Sequence, residues 1–331
     1  MRILILLDCV GDPRPMFASA LAEAGLAGVE VTVVSDAVSL SAAALNTAVA
    51  GATALVTPLT LQVDGSLLDA AGDGLRVVSN YAVGFDNIDV EGCTDRGVTV
   101  CNGPPPMTEP TADLAWTLLL GAARRVREGL DLATGGTWSG YDANLLLGHR
   151  LVGGTLLVVG AGRIGTAVAR RSLGWDMDVL YTARTDKPHL EAEPIAATRT
   201  TLEAGLPLAD AVVVTTALTP ETRHMIDAAA LARMKSTAVL VNVSRGPVVD
   251  EAALADALAA GTIFAAGLDV YENEPRIHED LVDLPNALLL PHIASATVED
   301  RKDLTEICVE NVVATLAGDT PPHVVAFPAR R

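Results

Sequence analysis

The stretch LLVVGAGRIG, residues 156–165, indicates more about this chain's fold than any other part of it. Its first four residues form an apolar run too short for most helices, and the pattern G-x-G-x-x-G follows at once. Residues 166–173 then have a helical pattern. A strand, a glycine-rich turn and a helix in this order are typical of a dinucleotide-binding unit. The alternative is an ordinary glycine-rich turn in an alanine-rich protein.

Each glycine of the pattern has its own task in such a unit. Gly160 allows the tight turn, Gly162 lets the backbone approach a pyrophosphate, and Gly165 lets helix and strand pack closely. The N-terminus of the helix then presents free N–H groups to the phosphates. We therefore expect the loop, including Arg163 and Ile164, to bind the cofactor.

The end of the next strand predicts which dinucleotide binds. NAD-binding units usually carry Asp or Glu there to hold the ribose 2′-OH, but this chain has Ala183 followed by Arg184 and Thr185. A carboxylate would repel a 2′-phosphate, whereas a guanidinium holds one with two parallel charge-assisted bonds. The sequence therefore predicts NADP(H) as the preferred cofactor, bound by Arg184 and Thr185. The alternative is NAD(H), with Arg184 solvated and Asp186 turned towards the ribose.

The composition limits the class of protein. At 331 residues the chain is long enough for two domains of ordinary size. Half of its residues are hydrophobic, but no apolar run approaches the ~18 residues that span a bilayer. The formal charge of −18 argues against nucleic acid and anionic membranes as partners. It also requires locally placed cations wherever an anionic substrate binds.

The first residues and the cysteines favour a cytoplasmic protein. Residues 1–8, MRILILLD, could pass for a signal peptide, but the apolar core is short and no small-residue cleavage site follows it. We therefore expect a buried first strand there. The cysteines have neither C-x-x-C nor metal-ligand spacing, which is typical of reduced packing residues and predicts no metal site. They are Cys9, Cys93, Cys101 and Cys308.

Short strand-like runs alternate with helical patterns along most of the chain, which favours an α/β fold with parallel sheets. A long helical pattern over residues 109–127 separates two series of strands. The glycine loop lies near the middle of the chain. We therefore expect residues 102–292 to form the dinucleotide-binding domain, and residues 1–101 together with 293–331 to form a discontinuous substrate-binding domain.

Three ionisable residues follow three expected strands of the second series. Arg245 follows VLVN, Glu274 lies in DVYENEP, and His292 follows a strand that ends at Leu290. Ligands of open α/β sheets bind at the carboxyl ends of the strands, so these side chains could converge. Taken one at a time, each has a structural alternative: an ion-pair partner, a turn residue and a capped core histidine.

Together the three residues suit hydride transfer to a 2-oxo acid. A carbonyl that accepts hydride needs a proton donor, for which His292 is suited near neutral pH. Glu274, bonded to the far ring nitrogen, would favour the imidazolium. Arg245 would bind the substrate carboxylate and help to polarise the carbonyl. The nicotinamide would supply the hydride.

At this point the chain resembles the D-isomer-specific 2-hydroxyacid dehydrogenases, and within them the glyoxylate/hydroxypyruvate reductases. The resemblance covers nearly the whole length and rests on several motifs in the right order. They are NYAVGFDNID (80–89), TADLA (111–115), GAGRIG (160–165), LTPET (218–222), NVSRG (242–246), GLDV (267–270) and PHIAS (291–295). The run LYTAR (180–184) resembles the NADPH-preferring members.

The resemblance implies a fold, an assembly and further site residues. The fold would be two doubly wound parallel-sheet α/β domains around a cleft, one Rossmann-like and nucleotide-binding, the other flavodoxin-like and substrate-binding. The assembly would be a homodimer formed largely through the nucleotide domain. Arg245 would orient substrate, His292 would be the acid/base and Glu274 its partner. The further residues would be the Val83 and Gly84 amides at the substrate carboxylate with Asn80 nearby, Thr108 and Asp269 at the nicotinamide with the Val243 and Ala294 backbone, and Thr215, Thr216 and Ala217 on the adenosine side.

The sequence departs from the family pattern without losing a catalytic group. Ala217 replaces a common proline, and residues 103–108, GPPPMT, are unusually rich in proline beside the expected nicotinamide contact, which affects the expected substrate size. The predicted function is NADPH-dependent reduction of glyoxylate, hydroxypyruvate or a similar small 2-oxo acid to the D-2-hydroxy acid. The alternatives are an NAD-dependent D-2-hydroxyacid dehydrogenase, a phosphite dehydrogenase, and a nucleotide-sensing binding protein of the same fold.

Overall fold

The computed structural model describes residues 1–325, and the chain divides into two units. One unit joins Met1–Met107 to Ala296–Arg331, and the other is Thr108–Ser295. These boundaries lie a few residues beyond those expected from the sequence. Two backbone bonds keep residues 102 and 103 with the first unit, because Asn102 N–H donates to His323 and Gly103 N–H donates to Ala82.

The first unit contains a five-stranded parallel sheet in the order β2-β1-β3-β4-β5, which is the flavodoxin-like order. Strands β1, β3 and β4 are almost wholly buried, as expected of a parallel sheet that has helices on both faces. The elements are β1 (Arg2–Ile5), α1 (Pro13–Glu23), β2 (Glu30–Val33), α2 (Ala42–Val49), β3 (Ala54–Thr57), α3 (Gly65–Ala71), β4 (Val77–Asn80), α4 (Val90–Asp95) and β5 (Thr99–Cys101).

The second unit contains a seven-stranded parallel sheet in the order β12-β11-β10-β9-β6-β7-β8. Its elements are α5 (Thr108–Ala123), α6 (Val126–Thr134), β6 (Thr155–Val159), α7 (Arg163–Arg171), β7 (Asp178–Thr182), α8 (Pro188–Glu191), β8 (Thr198–Arg199), α9 (Leu202–Gly205), β9 (Ala211–Val214), α10 (Ala228–Leu231), β10 (Val239–Asn242), α11 (Glu251–Ala259), β11 (Ala265–Leu268), α12 (Glu279–Val282) and β12 (Ala287–Leu289). The last helix, α13 (Val298–Ala317), belongs to the first unit.

The strand order of the second unit is the Rossmann order with one strand added at an edge. Counted from β6, it reads 3-2-1-4-5-6-7, and the direction of winding reverses between β6 and β9. The fold class predicted from the sequence, two doubly wound α/β domains, is therefore confirmed. Ligands of such sheets bind outside the carboxyl ends of the strands at this reversal, which is where the glycine loop follows β6.

The apolar core of the second unit covers both faces of its sheet. Alternate residues of β6 enter different clusters, since Leu156 and Val158 pack in one and Leu157 and Val159 pack in the other. This alternation follows from the two-residue period of a strand and explains the continuous apolar run in the sequence. Within residues 1–325, no helix combines the length and the apolarity that crossing a bilayer requires.

The helix predicted over residues 109–127 is wrong in its extent. Helix α5 ends at Ala123, and α6 begins at Val126. Between them Arg125 has a φ of 54°, in the left-handed region, and its guanidinium forms two bonds with Glu128. The left-handed backbone at Arg125 therefore ends one helix and begins the next. No glycine or proline stands at this position to indicate the break in the sequence.

Candidate active site

The glycine loop has the geometry that a pyrophosphate needs. Gly160 has a φ of 99°, and a Cβ there would lie 2.6 Å from the Cα of Thr216. A Cβ at Gly165 would overlap the carbonyl oxygen of Gly160, so this glycine is required for close packing of helix on strand. A Cβ at Gly162 would meet nothing within 4 Å, so the backbone there borders open space. These residues therefore fit a dinucleotide phosphate at the N-terminus of α7.

The residues expected at the adenosine side lie against the same loop. Thr215 Oγ1 donates to the carbonyl of Gly160 at 2.8 Å, and its N–H donates to Val159. The backbone of Thr216 contacts Gly160, while the carbonyl of Ala217 accepts a bond from Thr222 Oγ1. These contacts hold the segment after β9 next to the turn after β6.

A guanidinium from β8 holds the loop after β7, where the ribose is expected. Arg199, on the short strand β8, donates to the carbonyls of both Ala183 and Arg184 and also pairs with Asp186. The carboxylate of Asp186 is therefore held by a guanidinium. Arg199 was not expected from the sequence, because β8 is only two exposed residues long and gives no apolar pattern.

Arg245 is presented by a polar turn at the end of β10. Asn242 is buried, and its Oδ1 accepts bonds from the N–H and the hydroxyl of Ser244. Its Nδ2 donates to the carbonyl of Arg245 at 3.0 Å. Val243 is also buried at the strand end, and its N–H donates to Val214. A side chain that bonds its own turn fixes the direction in which the chain leaves the strand.

His292 lies on a loop segment with unfavourable backbone geometry. Its φ is 54°, a left-handed conformation that is uncommon for residues other than glycine. Asp269, fully buried at the end of β11, accepts the N–H of Ile293 and of Ala294, each at 2.8 Å. Burial raises the pKa of Asp269 despite these two bonds, which lower it. The Asp269 carboxylate thus holds the backbone that carries His292.

His292 and Glu274 form a hydrogen-bonded pair. Nδ1 of His292 lies 2.8 Å from Oε2 of Glu274, and Oε1 of Glu274 accepts the N–H of Tyr271 at 3.0 Å. Burial alone would raise the pKa of Glu274, but the bond and charge of His292, the Tyr271 N–H and the charge of Arg245 lower it below its ordinary value. The side chains that the sequence singled out on three strands are therefore close to one another.

The first unit contains the loop expected to hold a carboxylate. Within residues 1–325, the N–H groups of Val83 and Gly84 donate to no protein acceptor, while the carbonyl of Val83 accepts Asn102 Nδ2 at 2.7 Å. Asn80 is fully buried, and its side chain bonds Thr57, the carbonyl of Gly84 and Asn87. The buried Asn80 side chain therefore holds this loop from the interior of the unit, and its amide is not at the surface.

The chain is similar to known proteins of one family. A family model described as D-isomer specific 2-hydroxyacid dehydrogenase, NAD binding domain, matches residues 116–294. A glyoxylate reductase of Thermococcus gammatolerans is 47% identical over 276 residues, which are 82% of either chain. Among solved structures, a protein of Thermus thermophilus has a TM-score of 0.88 at 41% identity and covers 98% of this chain and 100% of its own. An NADPH-dependent glyoxylate/hydroxypyruvate reductase of Sinorhizobium meliloti, in complex with NADP and malonate, has a TM-score of 0.83 at 33% identity, covering 100% and 99%.

The chain belongs to the D-isomer-specific 2-hydroxyacid dehydrogenase family. It is an NAD(P)-dependent dehydrogenase of this family, similar to the glyoxylate reductases. The family resemblance stated from the sequence motifs is confirmed.

Proposed function

We propose that this enzyme reduces glyoxylate, hydroxypyruvate or a similar small 2-oxo acid to the D-2-hydroxy acid, with NADPH as the preferred cofactor and His292 as the proton donor. The observation that carries the proposal is the bond between His292 Nδ1 and Glu274 Oε2. With Nδ1 engaged, Nε2 is the ring nitrogen left to deliver a proton to a carbonyl oxygen.

The protein groups divide the chemistry among them. When bound, the dihydronicotinamide supplies the hydride. Arg245 binds the substrate carboxylate and stabilises the charge that develops on the carbonyl oxygen, because its guanidinium matches a carboxylate in two bonds. His292 donates its proton to that oxygen, and the Glu274 carboxylate stabilises the imidazolium beforehand. The N–H groups of Val83 and Gly84 also bind the substrate carboxylate, with Asn80 holding their loop.

The preference for NADPH is supported by the charges at the end of β7. Arg199 engages Asp186, the carboxylate that would otherwise serve an NAD ribose. The same guanidinium holds the carbonyls of Ala183 and Arg184, which restricts the backbone beside the Arg184 side chain. Arg184 and Thr185 then bind the 2′-phosphate. A relative from Sinorhizobium meliloti is described as NADPH-dependent, which favours the same cofactor here.

The assembly that we propose is a homodimer formed through the second unit. Residues 126–147 expose several large apolar side chains: Tyr141 is 93% exposed, and Leu130, Trp138 and Leu147 are each 60% exposed. Exposed apolar surface concentrated in this way marks interaction sites, and a two-fold dimer is the commonest soluble assembly. Light scattering on the purified chain would give twice the mass of 34.2 kDa if the proposal is right.

The function is tested by following nicotinamide absorbance with NADPH or NADH and a panel of glyoxylate, hydroxypyruvate, pyruvate, phenylpyruvate and, in the reverse direction, phosphite with NADP or NAD. The proposal predicts the highest kcat/KM for NADPH with the two smallest polar acids, and D-glycerate from hydroxypyruvate on a chiral column. A higher kcat/KM with NADH than with NADPH would favour the NAD-dependent dehydrogenase instead. Turnover of phosphite alone would favour a phosphite dehydrogenase, and tight dinucleotide binding without turnover of any acid would favour a nucleotide-sensing binding protein.

A further inference from the structure

Glu272 joins three loops that follow β9, β10 and β11. Its Oε2 lies 3.0 Å from Nε2 of His224, and its Oε1 accepts the N–H of Glu251 at 3.1 Å. In return, the N–H of Glu272 donates to Oε1 of Glu251. Glu251 is only 4% exposed at the start of α11. None of these three side chains has a part in the chemistry described above.

The backbones of the same loops are bonded to one another. The N–H of His224 donates to Pro247 at 2.8 Å, and the N–H of Ile226 donates to Val248 at 3.2 Å. A Cβ at Gly246, the residue after Arg245, would overlap the peptide that joins Tyr271 to Glu272. The turn that carries Arg245 therefore rests directly on the segment that leads to Glu274.

The arrangement costs free energy that ordinary helix capping would not require. Burial raises the pKa of Glu251, and the neighbouring charge of Glu272 raises it further. Asp250 already caps the N-terminus of α11 through its own side chain, so Glu251 is not needed for that purpose. The carboxylate of Glu272, whose side chain is 17% exposed, lies beside that of the buried Glu251, and such a pair persists only when hydrogen bonds or positive charge compensate for it. The N–H groups of Glu251 and Glu272 and the guanidinium of Arg223, 3.9 Å from Oε2 of Glu272, supply that compensation.

We propose that Glu272, with His224 and Glu251, is a positioning network that holds Arg245 and Glu274 at their working separation. The inference rests on the proposed function, because it assigns these two residues to substrate and proton donor. The network acts on both residues through the backbone. It reaches Arg245 through Gly246, which packs against the peptide between Tyr271 and Glu272, and it reaches Glu274 through the N–H of Tyr271. A displacement of about 1 Å at reacting groups costs on the order of 10²-fold in rate, so a clamp at this place matters for turnover.

The test compares Glu272→Ala and Glu272→Gln with a matched control, Lys235→Met. Lys235 forms a half-buried ion pair with Asp210 in the same unit. Asp210 precedes β9 and Lys235 precedes β10 in the chain, whereas Glu272 follows the end of β11. Glu272→Ala is expected to lower kcat/KM for hydroxypyruvate by about 10- to 100-fold through both kcat and KM, with unchanged NADPH affinity. Glu272→Gln, which keeps one acceptor, should recover part of the loss. His224→Gln serves as a second route if Glu272→Ala does not fold.

A second readout separates this inference from the proposed function. Hydrogen exchange, followed by mass spectrometry, should become faster in residues 245–251 and 271–274 of Glu272→Ala, but not in the glycine loop and not in Lys235→Met. Unchanged exchange and kinetics in Glu272→Ala, or equal losses in the control, would overturn the network. A wild-type enzyme inactive on every 2-oxo acid would overturn the proposed function, and the exchange result would still decide whether the network exists.

Discussion

Nδ1 of His292 lies 2.8 Å from Oε2 of Glu274, although the two residues are 18 positions apart. Each comes from a different strand end, and each is held by a further backbone bond: Tyr271 N–H to Glu274, and the two N–H groups after His292 to Asp269. The imidazole is thus fixed in direction and tautomer by groups that do not react. This is the arrangement that a proton donor requires.

The first prediction concerns Glu274→Gln. The bond and charge of His292 hold the pKa of Glu274 below its ordinary value of 4.5, against burial, which raises it. A carboxyl whose pKa is lowered in the folded state adds to the free energy of unfolding. This contribution is present above pH 4.5 and is lost as the pH falls through the lower pKa of the folded state. Urea unfolding should therefore show the wild type more stable than Glu274→Gln at about pH 7, with a gap that closes below about pH 4.

The same substitution should reduce turnover. Glutamine cannot stabilise an imidazolium by charge, so we expect kcat to fall by up to about 10²-fold, the lower end of what proton donation contributes. Glu279→Gln, an exposed change on α12, is the matched control. A stability gap that stays constant from neutral to acidic pH would contradict the ionised pair.

The second prediction concerns cofactor choice. Ala183→Asp combined with Arg184→Ala introduces a carboxylate that repels the 2′-phosphate and removes the guanidinium that binds it. Loss of charge-assisted bonds worth about 1.5–3 kcal/mol should shift the NADPH-to-NADH ratio of kcat/KM by about 10- to 100-fold towards NADH. Steady-state kinetics with both cofactors and glyoxylate measure this ratio.

Asp186→Asn is the control for this experiment, since Arg199 already engages that carboxylate. It should leave the ratio near the wild-type value. If Asp186→Asn instead abolished activity with NADH, the ribose would be held by Asp186 and the Arg184 assignment would be incorrect.

The third prediction follows from the net charge of −18. Acidic self-repulsion destabilises a folded chain and is screened as the Debye length falls from about 30 Å at about 0.01 M salt to about 3 Å at about 1 M. The melting temperature should therefore rise with KCl over this range, as measured by scanning calorimetry. A melting temperature that falls steadily with KCl would mean that attractive ion pairs outweigh the repulsion.

Local pattern was enough to predict the sheets and the glycine loop, whereas the pairing of His292 with Glu274 was expected from the converging strand ends and from the family resemblance. Apolar strands buried on both faces give continuous runs, and the three glycines have separate steric reasons that the structure reproduces at Gly160 and Gly165. The strand order of the Rossmann-like sheet also follows from the chain order of such units.

What could not be predicted depends on contacts between segments distant in sequence. The left-handed backbone at Arg125, which divides the predicted helix, occurs without glycine or proline. Asn80 is expected beside the substrate but is turned inwards by Thr57 and Asn87, and no local pattern reveals those partners. The sequence also gives no indication of the contacts of Glu272 and Arg199, because these contacts form only when the loops that the two residues join come together.

The most direct test of the account is His292→Ala, assayed for NADPH oxidation with glyoxylate and, separately, for NADPH affinity by fluorescence titration. Removing a positioned proton donor should lower kcat by about 10²- to 10⁴-fold and leave the affinity for NADPH unchanged. Near-normal turnover by His292→Ala would show that another group donates the proton and would contradict the role assigned to the His292–Glu274 pair.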